Sequence, residues 1–228
     1  MDRFVVRVWL PDRPGALGLV ASRIGAVRGE IHGIEILEQG AGRAIDELVV
    51  ELPDAGLIDL LVGEVNAVDG VDVEEVRRAP VSWRDPRYDA LETAASLMGA
   101  VTPDEVLKLL VDHATLDLEA AWAAVVGGPA TTVVAQVGGA PDPAWLVAFV
   151  EGSRSSALVA AGDWGPDDIA WAPLVDAGLD LVLGRHGRPL RARERHQLMA
   201  LSRLADLRWA QLSDVRREAA PLAARPLR

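Results

Sequence analysis

Apolar and polar residues alternate over residues 4–10. Phe4, Val6, Val8 and Leu10 share one face, and Arg7 and Trp9 fall on the other, the period of two that marks a strand. Pro11-Asp12-Arg13-Pro14-Gly15 must end it, because each proline removes a backbone donor. Leu17, Val20, Ile24 and Val27 then recur every three or four residues, the stripe of an amphipathic helix. Pro14 suits its entrance and Gly29 its end. A second strand over 32–39 sets Ile34 and Ile36 against Glu35, and Gly40-Ala41-Gly42-Arg43 makes a hairpin turn. A third over 44–52 sets Leu48, Val50 and Leu52 against Glu47, Val49 and Glu51. Leu57, Leu60, Leu61, Val65 and Val68 form a second helical stripe, and residues 71–76 a fourth strand. Right-handed crossovers in this βαββαβ order place both helices on one face of a four-stranded antiparallel sheet. The expected fold class is α+β, with a ferredoxin-like unit over residues 1–78.

Residues 79–87 contain proline and lack periodicity, and are expected to be a linker. Beyond them the pattern predicts helices over 88–100 and 103–114, the second capped by Thr102 with Glu105 three residues on. Strands follow over 118–126 and 131–137, joined at Gly127-Gly128-Pro129. A helix over 143–151 comes next, and 153–165 shows no clear pattern. Strands over 169–175 and 179–184 meet across Asp176-Ala177-Gly178. A long helix over 191–212 carries Leu198, Leu201, Ala205 and Leu212 inward. A second unit therefore spans 88–213, and 214–228, with Pro221 and Pro226, is expected to be a flexible tail. Trp122, Trp171 and Trp209 are expected in cores. Trp9, on the strand face away from the helices, is expected to pack on the second unit or on a second subunit.

Composition narrows the function classes. A net charge of −11 argues against nucleic acid, whose phosphates require clustered Lys and Arg. Residues 185–228 reverse the balance, with eleven arginines against four acids, which suits pairing within or between subunits. Without cysteine there is no disulfide, thiol chemistry or thiolate metal site. No apolar run approaches the roughly 20 residues of a membrane span, and the chain enters strand sequence at Phe4 with no signal-peptide pattern. A cytoplasmic protein without membrane contact is the expectation. His32, His113, His186 and His196 stand at no ligand spacing, so no metal is expected. Ser153-Arg154-Ser155-Ser156 has no partnered His and Asp. Gly127-Gly128 and Gly138-Gly139 lack the residues of a phosphate loop. No catalytic residue and no cofactor are expected, and the chain reads as a non-enzyme.

The best binding candidate is the turn at 11–15. A helix start offers unpaired N–H groups and a favourable dipole to an anion such as an α-carboxylate. Gly15 lets a ligand approach the backbone, and Asp12 could accept from an α-ammonium. The bland alternative is that Asp12 caps the helix and Pro14-Gly15 only shapes the turn.

Val8-Trp9-Leu10, Asp12-Arg13-Pro14-Gly15-Ala16-Leu17 and Arg28-Gly29-Glu30-Ile31, in this element order, resemble the ACT domain family across residues 3–78. The resemblance implies an effector sensor that binds an amino acid or related metabolite between subunits of a homodimer joined edge to edge. The implied ligand-binding residues are Asp12, Arg13, Pro14, Gly15, Ala16, Leu17, Glu30 and Ile31. The family favours amides where Asp12 and Glu30 stand, so acids here point to a cationic ligand or to none. Ala172-Pro173-Leu174-Val175-Asp176-Ala177-Gly178, Leu181-Val182-Leu183-Gly184-Arg185, Glu194 and the following helix resemble the end of a GAF domain over 88–212. That implies an antiparallel sheet flanked by helices, for signal transmission or dimerisation, and here without a chromophore cysteine. The reading is a regulatory sensor. A dimeric scaffold without ligand and an enzyme of unknown class stay open as alternatives.

Overall fold

A computed structural model describes residues 1–79, 85–127, 132–162 and 165–223, with side chains to residue 215. The chain divides into two units, Met1–Asp85 and Pro86–Arg228. Most of the expected linker, residues 80–84, lies outside the described residues, as does the turn at 128–131. The fold class is α+β, as the pattern predicts.

In the first unit β1 (Asp2–Pro11), α1 (Ala16–Ala26), β2 (Glu30–Gly40), β3 (Arg43–Leu52), α2 (Ile58–Asn66) and β4 (Asp72–Arg78) follow in order. The antiparallel sheet runs β2-β3-β1-β4. Phe4, Val6, Val8 and Leu10 meet Val20 and Ile24 of α1 and Leu61 and Val65 of α2 in one buried cluster. The face away from this cluster carries charge. Arg7, 1% exposed, donates from Nε and Nη2 to Glu47 Oε2 at 3.1 and 2.9 Å. Arg77 donates to both oxygens of the same carboxylate, at 3.0 Å to Oε1 and 3.3 Å to Oε2. Arg3 donates to Glu51 at 2.8 Å, with His32 3.7 Å from the same oxygen.

Trp9 sits on this face as alternation requires, and its own sheet serves it. Its indole donates to Glu74 at 3.3 Å, and the Arg43 guanidinium lies 5.2 Å over the ring.

In the second unit α3 (Pro86–Gly99), α4 (Pro103–Asp117), β5 (Trp122–Gly127), β6 (Thr132–Gly138), α5 (Pro143–Arg154), α6 (Ala157–Ala160), β7 (Ile169–Leu174), β8 (Leu179–Gly184) and α7 (Ala192–Ala223) follow. The antiparallel sheet runs β6-β5-β8-β7. One face packs Ala123, Val125, Leu181 and Leu183 against Leu97, Leu110, Leu198 and Leu201 of the helices. The other packs Trp122, Ala124, Trp171 and Val182 against Leu146 and Val150 of α5. A sheet buried on both faces explains why β8 reads as a nearly continuous apolar run. Trp122 and Trp171 are core residues, and Trp209 packs partly buried against the first of these clusters.

The N-terminus of α4 is a capping box. Thr102 accepts the Glu105 N–H at 3.1 Å, and Glu105 accepts the Val101 N–H at 2.8 Å. Two expectations need correction. The strand expected from residue 118 begins at Trp122, because Val106, Leu110, Ala114 and Leu118 continue one helical stripe and the chain turns only at Glu119, φ 46°. The tail expected to be flexible from residue 214 is helical to Ala223, for Arg216-Arg217-Glu218-Ala219-Ala220 consists of strong helix formers.

Candidate functional site

The turn at 11–15 is shaped by backbone. Asp12 donates its N–H to Gly42 O at 2.9 Å, Arg13 to Pro11 O at 2.9 Å and Ala16 to Arg13 O at 3.3 Å. Gly15 is the N-cap of α1 at φ 89°, ψ −14°, a left-handed conformation that glycine adopts without a Cβ penalty. No side chain caps this helix. The reading in which Asp12 is a helix cap is therefore excluded; the Ala16 N–H is already used by Arg13 O, and no side chain accepts from the first turn. Asp12, Arg13, Pro14 and Gly15 are exposed. Ala16 is buried, and Leu17 packs half-buried against the core.

In β3, three residues along from the Pro11–Arg43 pair, stands a residue that pattern reading passed over. Asp46 stands in β3 in the row Ala44, Leu48, Val50 and Leu52, all of which face the helices as core. In register it lies between Val8 of β1 and Ile36 of β2. The residue is 3% exposed, and its Oδ1 is buried without a hydrogen-bond partner. Burial, and then the charge of Asp12, raise its pKa above the ordinary carboxylate range. The signal available in the sequence was one acid standing at a core position of the alternation. On β2 the apolar side chains Ile34 and Ile36, 42% and 47% exposed, continue the surface next to it.

Glu30 and Ile31 are not brought to this site within one chain. Pro11 pairs with Arg43, whereas Glu30 pairs with Glu51, at the other end of the sheet. The intervening stretch of β3 spans about 27 Å at ~3.4 Å per residue. Ile31 packs against the core of its own unit.

In the second unit a small recess lies among α5, α6, β7 and α7. Phe149, Val159, Pro166, Ile169, Trp171 and Arg195 leave about 10 Å³, the room of a single water. Arg195 donates to Ile169 O at 2.9 Å and to Pro166 O. Trp171 donates to Asp180 Oδ1 at 2.9 Å, and Arg154 donates to Oδ2 at 2.7 Å. Arg185 is buried and committed to Leu118 O and to Glu194 at 2.7 Å. Arg188 donates to Glu119 at 2.8 Å, so the Arg185–Arg188 loop is occupied within its own chain. Ser155 bonds to Glu151 O and Ser156 caps α6. Among the described residues no group of three His, Asp or Glu could hold a metal ion, and no helix is long and apolar enough to cross a membrane.

No family model matches the sequence, and no curated protein matches it. Among solved structures, the chain is similar to the ACT domain of a GTP pyrophosphokinase of Chlorobium tepidum, at 19% identity and TM-score 0.28 over 35% of this chain and all of that one. It is similar to the C-terminal domain of the MgtC protein of Mycobacterium tuberculosis, at 14% identity and TM-score 0.29 over 37% of this chain and 95% of that one. It is also similar to the chromophore-binding domain of a bacteriophytochrome from R. palustris, at 10% identity and TM-score 0.42 over 94% of this chain and 95% of that one.

Proposed function

We propose that this chain is a non-catalytic regulatory protein whose N-terminal unit senses an amino acid or related small metabolite as a homodimer. The observation that carries the reading is the start of α1 at exposed Gly15, which no side chain caps. An uncapped helix start favours a carboxylate, and a ligand carboxylate there satisfies donors that the chain leaves open. The dimer has a natural edge in β2, the outer strand of its sheet, eleven residues without proline and bearing exposed Ile34 and Ile36. Antiparallel pairing of two such edges about Glu35 sets Glu30 of one copy level with Gly40 of the other, near that copy's turn. The missing contribution of Glu30 then comes from the partner. The second unit is assigned to transmission or pairing.

Thermal shift of the full chain against the common amino acids, purines and pyrimidines tests this reading. A ligand at 100 times its Kd is expected to stabilise the first unit by about 2.7 kcal/mol. Silence across the panel overturns the sensor reading and leaves the scaffold. Light scattering after size exclusion is expected to give twice the monomer mass, and Glu substitutions at Ile34 and Ile36 are expected to return it to the monomer. A monomer at micromolar concentration in the unsubstituted chain overturns the dimer.

A further inference from the structure

We infer that α3 of the second unit is a dimer contact, pairing antiparallel with α3 of a second copy. The inference rests on the homodimer of that reading and adds the place where the second unit joins it. α3 follows directly on the first unit, which ends at Asp85.

The amphipathicity of α3 is inverted. The face turned to its own unit buries Thr93 and Leu97. Thr93 Oγ1 donates to Asp117 Oδ2 at 3.0 Å and lies 3.0 Å from His113 Nδ1. A hydroxyl has one proton to give, so His113 is the donor in the second contact. This polar chain between α3 and α4, with Arg208 of α7 donating to Ala100 O at 2.6 Å, fixes the rotation of the helix. The larger apolar side chains are thereby turned outward. Tyr88, Leu91 and Met98 are 55%, 69% and 44% exposed, with small Ala95 exposed between them. Spacings of three, four and three residues put the four on one heptad stripe. A surface helix ordinarily turns such a stripe to its core.

The stripe is its own complement. Antiparallel layers set Tyr88 of one copy against Met98 of the other, and Leu91 against Ala95. Large then faces small in the middle, and a thioether faces a ring at each end. Charge points the same way. The acids Asp85, Asp89 and Glu92 lie at the start of the helix, and residues 93–101 carry no charge. Parallel pairing would stack acid on acid, whereas antiparallel pairing lays the acidic half on the uncharged one. At these exposures the stripe offers about 350 Å² of apolar surface, under half of the roughly 800 Å² that each partner gives a stable interface. Alone it is too small to hold a dimer. Joined to a first unit that already pairs, it acts at an effective concentration on the order of millimolar, where a small contact suffices. Its occupant is for that reason a second copy.

The full chain has no cysteine, so introduced cysteines read the contact directly. Under mild oxidant and after subunit exchange, an equimolar mixture of Leu91→Cys and Ala95→Cys chains is expected to cross-link several-fold faster than either variant alone, because antiparallel layers join 91 to 95. Equal rates with either variant alone indicate parallel pairing and overturn the inference. Leu91→Glu, on the exposed face, keeps the helix content by circular dichroism and is expected to weaken the dimer at least tenfold when light scattering follows its dilution. A dimer of unchanged strength in Leu91→Glu, with no cross-link in the mixture, overturns the inference and spares the pairing of the first unit. A stripe reserved for a foreign helix gives that same result. An unsubstituted chain that is monomeric overturns both.

Discussion

Glu47→Ala is expected to cost the N-terminal unit about 3–5 kcal/mol, the range for removing one partner of a buried ion pair. Glu47 is the shared acceptor of two arginines, and Arg7 beneath it is 1% exposed. Without the carboxylate, the Arg7 guanidinium keeps its burial and loses the acceptor at 2.9 and 3.1 Å, with Glu74 4.0 Å away. The cost is therefore mostly that of stranding Arg7, and a double variant Arg7→Met, Glu47→Leu is expected to recover most of it. Urea melts of the single and double variants check this, and a double variant no better than Glu47→Ala would show that packing, not stranded charge, is at stake.

The same carboxylate sets part of the acid sensitivity. Burial alone would raise the Glu47 pKa, but the hydrogen bonds and charges of Arg77 and Arg7 outweigh it and hold the pKa below 4.5. A folded pKa below the unfolded one means stability that is complete above the unfolded value and lost as pH falls through the folded one. Asp46 has the opposite sign. Its pKa is raised, so its ionisation penalises the folded state as pH rises from the unfolded value through the folded one. Acid melts of Glu47→Gln are expected to lose part of the wild-type drop below about pH 4.5, and those of Asp46→Asn to steepen it.

The sheet of the first unit was legible because its strands alternate cleanly and Pro11, Gly15, Gly42 and Gly70 mark its turns. The α4 start was legible for a local reason too, since Thr102 and Glu105 are three residues apart. What escaped depends on partners far along the chain. Asp46 is an ordinary acid until Val8 and Ile36 flank it across two strand pairings. The bulges after Ile31 and Ile36 fix where Glu30 falls, and no pattern of alternation announces them. Arg43 covers Trp9 from another strand. The contact of Trp171 and Arg154 with Asp180 likewise joins two strands and the end of α5.

Gly184→Ala is expected to destabilise the second unit by about 3 kcal/mol, at the upper end of the overpacking range. Gly184 pairs directly with Trp122 across β8 and β5, and a Cβ added there would lie 2.3 Å from the indole ring. The backbone is not at fault, since Gly184 is not among the positive-φ glycines and alanine is otherwise no worse than glycine in a strand. The indole must shift from its place in the cluster of Leu146, Val150 and Val182. In a Trp122→Leu background the ring is gone, so the added methyl is expected to cost under 1 kcal/mol, a non-additive pair of the kind that direct contact produces. Tryptophan fluorescence during denaturation reads the loss in this unit, whereas Glu47→Ala acts in the other. Additive costs in the double variant would show that Gly184 is required for something other than the Trp122 ring.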